Sequence, residues 1–132
     1  MEQDQGMTLG SVPSPQPALI TAAIRACMDC ALSCTTCADA CLSEPSPDRL
    51  RDCIRLCLDC AEVCVTTASV LTRRTAERRQ LQQELLAVCA TACRLCGEEC
   101  QMHADHHDHC RACAEACLVC AEACQRALGE VM

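Results

Sequence analysis

Cysteine supplies 18 of the 132 residues, and it recurs with the spacing of one side of an α-helix. The stretch CMDCALSCTTCADAC, residues 27–41, contains five cysteines separated by gaps of 3, 4, 3 and 4. Residues three or four positions apart lie on the same side of a helix, so these thiols share one face. Three later stretches repeat the spacing. The cysteines are Cys27, Cys30, Cys34, Cys37 and Cys41; Cys53, Cys57, Cys60 and Cys64; Cys89, Cys93, Cys96 and Cys100; and Cys110, Cys113, Cys117, Cys120 and Cys124.

The regular spacing indicates sulfur chemistry and not mere packing. A buried cysteine can act as a small apolar side chain, but leucine or alanine would fill a core without the hazard of oxidation. Disulfides within one helix are disfavoured, because Cβ atoms three or four residues apart are about 5 to 6 Å from each other and a disulfide needs about 3.8 Å. A metal ion between two thiolates spans the wider gap, since each metal–sulfur bond adds about 2.3 Å for zinc.

Charge favours Cu(I) among the metals that thiolates prefer. A zinc ion with four thiolates keeps a charge of about −2, which is costly in a core without cations, and no Lys or Arg falls on the cysteine faces. One Cu(I) per thiolate leaves the core neutral. Iron–sulfur clusters usually take cysteines from loops. A zinc or iron–sulfur binding module and a thiol-based redox sensor remain the alternatives.

An enzymatic role is not expected. The CxxC pairs resemble those of thiol–disulfide oxidoreductases, but such enzymes place one pair at a helix N-terminus beside a βαβ pattern. Here many pairs lie within helical stretches, and the sequence has no strand pattern.

Four helical segments must position the cysteines. The turn SEPSP, residues 43–47, offers Ser46 as an N-cap with Pro47 at the first helical position, and Thr75 is the expected N-cap of the third helix. The histidine-rich HADHHDH, residues 103–109, separates the last two segments. The expected helices span about 18–42, 47–72, 76–104 and 108–129. Short connections between them predict an all-α fold, an up-down-up-down antiparallel four-helix bundle with a cysteine-lined core.

We expect residues 18–132 to form one metal-storage domain, preceded by a flexible N-terminal arm over residues 1–17 that is rich in proline and glycine. The formal net charge of −7 argues against nucleic acid or an anionic membrane as a partner. The N-terminus shows no basic, apolar export signal, and no run of 18 uninterrupted apolar residues predicts a membrane span. These observations favour a cytoplasmic protein, in which thiols stay reduced.

The two ends of the bundle are expected to differ. Extending the cysteine faces in one direction reaches a closed end made of small and aliphatic residues. These are Ile20, Ala23, Thr67, Leu71, Leu86, Leu128 and Val131. In the other direction, His103 and then His107 follow Cys96 and Cys100 in the same register, so these two histidines are predicted metal ligands at an open mouth. The adjacent Met102 falls off the face and is expected to pack.

The four stretches CMDCALSCTTCADAC, CIRLCLDCAEVC, CATACRLCGEEC and CRACAEACLVCAEAC, joined by MHADHHDH, resemble the bacterial cytosolic copper storage proteins. The similarity covers residues 18–131. It implies a four-helix bundle, assembly into a homotetramer, a core that loads many Cu(I) ions on thiolates and a histidine-containing mouth, matched here by His103 and His107. Such a protein sequesters copper for detoxification or later supply, with a copper chaperone as a possible donor. The lack of a leader fits the cytosolic branch of the family.

Overall fold

The computed structural model describes residues 18–76 and 78–131 and contains four long helices in these ranges. They are α1 (Ala18–Leu42), α2 (Arg51–Thr72), α3 (Arg79–Gln101) and α4 (Asp108–Val131). A short 3-10 helix, Pro47–Leu50, leads into α2, and no strand occurs in the described ranges. The predicted all-α fold is thus confirmed, whereas the predicted arm over residues 1–17 lies outside the described residues.

Each helix packs against two neighbours, in the cyclic order α1, α2, α3, α4 and back to α1. Since consecutive helices are joined by short connections, this order gives the expected up-down-up-down bundle. The start of α3 and the end of α4 meet at one end of it, where Arg79 Nη1 and Gln83 Nε2 donate hydrogen bonds of 3.2 and 3.1 Å to the carbonyl oxygen of Val131. These donors satisfy an otherwise unpaired carbonyl in the last turn of α4.

The predicted helix boundaries hold for α1 and fail at the start of α3. Ser46 does precede Pro47 in the 3-10 helix, but its side chain makes no capping hydrogen bond. The prediction that Thr75 caps the third helix is wrong, because α3 begins at Arg79 with Arg78 in the capping position. The first buried side chain of α3 is Gln82.

The closed end is built largely as the cysteine register predicts. Ile20, Ala23, Thr67, Leu71 and Leu86 are buried, and Leu128 and Val131 pack against them while remaining partly exposed. The opposite, open end has one large buried aliphatic side chain among the described residues, that of Leu50. The aliphatic packing is therefore concentrated at the end away from the histidines.

Small residues let the helices approach closely along the thiol-lined section. At Gly97 of α3, an added Cβ would lie 3.2 Å from Cys117 Cβ and 3.3 Å from Leu118 Cδ2, both on α4. Cβ contacts this short are rare, so a side chain at this position would push α3 and α4 apart. Buried alanines play the same part elsewhere, including Ala31, Ala61 and Ala114.

Among the described helices, α1 is long and apolar enough to cross a membrane by length and composition alone. The sequence criterion of an uninterrupted apolar run does not detect it, because Arg25 and Asp29 interrupt the segment. In the structure, the five cysteines and several alanines of α1 are buried, and the helix packs against α2 and α4. This packing is that of a bundle-core helix.

Candidate metal centre

All 18 cysteines are free thiols, and all are buried. Their sulfur atoms meet between neighbouring helices, with Cys30 and Cys117 3.7 Å apart and Cys64 and Cys93 3.6 Å apart. They also meet across the diagonal of the bundle, where Cys57 and Cys113 are 3.7 Å apart. The four cysteine faces predicted from the spacing therefore do point inward and converge on one central column of sulfur.

The column is organised as overlapping groups of four thiols. Within each group, every sulfur lies within 4.8 Å of the others. Five such groups are Cys27, Cys89, Cys120 and Cys124; Cys30, Cys64, Cys93 and Cys120; Cys30, Cys34, Cys60 and Cys117; Cys34, Cys96, Cys113 and Cys117; and Cys37, Cys57, Cys100 and Cys113. Because successive groups share members, the donors form one continuous chain of sites along the bundle axis.

The spacing between sulfurs suits bridging metal ions. Two thiolates joined through one ion are separated by at most about 4.6 Å, twice a metal–sulfur bond of about 2.3 Å. Thiols of one helix already approach this range, since the sulfurs of Cys30 and Cys34, and those of Cys60 and Cys64, are 3.9 Å apart. The column can therefore accept ions between its thiols without rearrangement of the helices.

In the part of the chain that the structure describes, no lysine or arginine is buried beside the column. Among the described residues, the buried polar side chains are Thr67 and Gln82, neither of which is ionisable. A set of anionic tetrathiolate sites would remain uncompensated here, at a cost that rises steeply in a low-dielectric interior. Monovalent ions matched one to one with thiolates avoid that cost. The structure therefore favours Cu(I), as the sequence does.

Burial keeps Cys41 and Cys110, two thiols near the open end, protonated in the metal-free protein. Desolvation raises the pKa of Cys41 from 9.0 to about 11, and the nearby Cys53 thiolate acts in the same direction. Desolvation likewise raises the pKa of Cys110 above its usual range. Since the thiolate is the metal ligand, an ion that binds these cysteines must displace their protons.

At the open end, His109 reaches the thiol column. Its Nδ1 atom lies 3.6 Å from the sulfur of Cys37, 3.8 Å from that of Cys41 and 3.6 Å from that of Cys110. Its Nε2 atom lies 3.0 Å from Glu44 Oε2. One imidazole nitrogen thus faces three sulfurs and the other faces a carboxylate, so His109 stands where the thiol column meets the surface.

The two histidines predicted as ligands occupy different positions. The third helix ends at Gln101, so His107 does not continue its cysteine face, and that part of the register argument is wrong. His103 lies in the turn after α3 with Nε2 3.0 Å from Glu99 Oε2. His107 Nδ1 lies 3.3 Å from Glu44 Oε2. Both border a cleft of about 490 Å³ at the open end, together with His106 and Glu44.

Sequence reasoning missed His109, although a signal for it was present. His109 precedes Cys113 by four residues, and both lie in α4, so His109 is on the cysteine face of that helix. Met102, expected to pack, is 72% exposed, because the chain turns away from the bundle directly after α3.

Glu44 is the acidic group closest to two of these imidazoles. Its Oε2 atom contacts both His107 and His109. The hydrogen bond with His109 and the neighbouring charge of His107 lower the pKa of the Glu44 carboxyl below its usual value. The carboxylate therefore acts as an acceptor for imidazole N–H groups near neutral pH.

Known proteins are similar to this chain in sequence and fold. A cytosolic copper storage protein from Streptomyces lividans, solved with five coppers, is 50% identical with a TM-score of 0.83, over 84% of this chain and 92% of its own. The Streptomyces lividans protein Ccsp, loaded with 10 copper equivalents, is 45% identical with a TM-score of 0.86, over 93% of each chain. The uncharacterized cysteine-rich protein YhjQ of Bacillus subtilis is 40% identical over 91 residues, which are 69% of this chain and 79% of YhjQ.

The copper storage protein family matches residues 17–129, which include every cysteine and histidine discussed above. This match covers most of the chain. The chain belongs to the copper storage protein family.

Proposed function

We propose that this chain stores copper in the cytoplasm as Cu(I) ions held on the thiolates of its core, for detoxification or later supply. One observation carries the proposal: 18 buried free thiols form a continuous column that contains no buried cationic side chain among the described residues. All 18 cysteines are proposed ligands. At the open end, the proposed ligands are His103, His107 and His109. Copper delivered by a chaperone or a small complex would pass these histidines as it enters.

The solved relatives support this choice of cargo. One Streptomyces lividans protein is solved with five coppers, and the other was loaded with 10 copper equivalents. We infer no catalytic role. The thiols are fully enclosed, so a substrate larger than an ion has no path to them without opening the bundle.

Anaerobic titration of the reduced protein tests the cargo. Because each monovalent ion can be matched with one thiolate, Cu(I) binding should continue well beyond the four or so ions that 18 thiols could hold as separate tetrathiolate sites. Competition with a coloured Cu(I) chelator measures the number bound. As a control, the double variant Cys34→Ala with Cys117→Ala, which removes thiols shared by two groups, should lower the capacity by about two ions and keep the helical circular dichroism signal.

The same titration with zinc separates the alternatives. Saturation near four zinc ions together with weak copper binding would overturn the choice of metal. Reversible formation of disulfides in cell extracts, without copper in the isolated protein, would favour the redox sensor.

We also propose that the chain assembles as a homotetramer. A strip of small residues on α4, Ala112, Ala116, Val119 and Ala123, lies on the outer side of the helix, where Val119 is 61% exposed. A separate apolar surface, a groove between α2 and α3, is lined by Leu56, Val88 and Leu95. Apolar surface of this kind is typical of protein interfaces. Size-exclusion chromatography with light scattering should give four times the chain mass, and a monomer throughout the micromolar range would contradict the assembly.

A further inference from the structure

A single carboxylate oxygen at the open end contacts two histidines through different ring atoms. Glu44 Oε2 lies 3.0 Å from Nε2 of His109 and 3.3 Å from Nδ1 of His107. An ionised carboxylate accepts hydrogen bonds and cannot donate them. The hydrogen bond with His109 therefore places a proton on its Nε2 atom. The longer contact with His107 is at ion-pair distance, where a lone pair on Nδ1 would face the negative carboxylate, so the proton is favoured on that nitrogen as well.

The tautomer of each neutral ring follows from these contacts. A neutral imidazole carries one proton, so the nitrogen away from Glu44 must hold a lone pair. For His109 that nitrogen is Nδ1, the atom that faces the sulfurs of Cys37, Cys41 and Cys110. For His107 it is Nε2, on a ring that borders the open cleft. The two rings are thereby assigned opposite tautomers by one residue.

The position of Glu44 is itself fixed by the end of α1. Its backbone N–H donates a 3.2 Å hydrogen bond to the carbonyl oxygen of Cys41, and Cys41 is one of the thiols that His109 Nδ1 faces. The carboxylate and the thiol thus belong to one turn of the chain. The rings of His107 and His109 lie side by side, with centroids 5.2 Å apart, so one turn sets the geometry of thiol, carboxylate and both imidazoles.

We propose that Glu44 is a positioning residue for copper transfer at the open end: it holds His107 as the Nδ1–H tautomer and His109 as the Nε2–H tautomer, so that His107 Nε2 and His109 Nδ1 are free to bind Cu(I) in succession. Carboxylates that accept the second N–H of a metal-binding imidazole orient the ring and raise its basicity. This inference rests on the proposed storage of Cu(I). It concerns the rate at which ions pass the open end and not the number that the core holds.

The metal-free protein gives the first test. We expect ¹⁵N chemical shifts of the two imidazoles, recorded in mildly alkaline buffer, to show the Nε2–H tautomer for His109 and the Nδ1–H tautomer for His107. The Glu44→Gln variant should give a mixture of tautomers in both rings, since an amide can donate as well as accept. The opposite tautomer for His109 in the unaltered protein would overturn the proposal without reference to any variant.

Loading kinetics give the second test, with a matched control in Glu99→Gln. Glu99 makes the same kind of contact as Glu44, 3.0 Å from its oxygen to His103 Nε2, but with one histidine and at a similar exposure. Glu44→Gln should slow Cu(I) uptake from a coloured chelate by about tenfold, the lower range for loss of such a partner. Glu99→Gln removes a carboxylate of similar exposure and should leave the tautomers of His107 and His109 unchanged.

Total capacity separates this inference from the storage proposal. Glu44→Gln should bind as many Cu(I) ions as the unaltered protein, because the thiols are untouched. Equal loading rates and unchanged tautomers in Glu44→Gln, with full capacity, would refute the positioning role and leave storage intact. A low Cu(I) capacity of the unaltered protein would instead refute storage.

Discussion

Leu86→Ala should cost the reduced, metal-free protein about 2 to 5 kcal/mol of its free energy of unfolding, the usual range for deleting a buried leucine side chain. Leu86 is fully buried at the closed end, as is Leu71, and the chain has no aromatic residue that could contribute to the core. Since the total stability of a small domain is about 5 to 15 kcal/mol, this one change removes a large fraction. Urea unfolding followed by circular dichroism measures it.

The exposed Leu81 of the same helix provides the control. It is 47% exposed, so Leu81→Ala should change the free energy of unfolding by less than about 0.5 kcal/mol. Loading with Cu(I) should raise the unfolding midpoint of Leu86→Ala, because the folded state is the one that presents the thiol column. A circular dichroism spectrum typical of an unfolded chain, recorded for the reduced, metal-free parent protein, would contradict this prediction. The aliphatic core would then not form before metal binds.

His109→Ala should slow Cu(I) loading by at least about tenfold and leave the capacity within about one ion of the original. Changing an outer partner of a metal ligand already costs about 10- to 100-fold, and His109 faces three thiols directly. The double variant His103→Ala with His107→Ala should also slow uptake, or removal by a chelator, and keep the capacity, because the thiols beneath hold most of the metal. Stopped-flow loading with a coloured Cu(I) chelate measures each rate.

His106→Ala is the matched control for these variants. His106 borders the same cleft but is exposed, so its removal should leave the loading rate unchanged. Unaltered loading rates in all the histidine variants would mean that these imidazoles are solvated side chains with no role in copper uptake. A collapse in capacity would mean that they are core ligands instead of residues on the path inward.

The location of the thiols could be predicted from the sequence because helical periodicity is a local property. Gaps of 3 and 4 fix the direction of a side chain around its own helix axis, and four such faces can be buried together only in a bundle. The closed end follows by the same rule, and Ile20, Leu71 and Leu86 are buried as expected. The rule fails where a helix stops: Thr75 does not cap α3, and Met102 is exposed because α3 ends just before it.

The sequence by itself determined the bundle, the inward thiol column and the preference for a soft monovalent ion, because each depends on spacing and composition. The spacing within α4 places His109 on the cysteine face of that helix, but only the tertiary structure decided that its Nδ1 atom meets the sulfurs of Cys37, Cys41 and Cys110. His103, His107 and His109 all lie within seven residues of one another, and their register is interrupted by the turn between Gln101 and Asp108. The contacts of His109 come from Cys37 and Cys41 on α1 and from Glu44 beyond it. These residues are about 65 to 72 positions away in the chain, and no periodicity within one helix carries information over that distance.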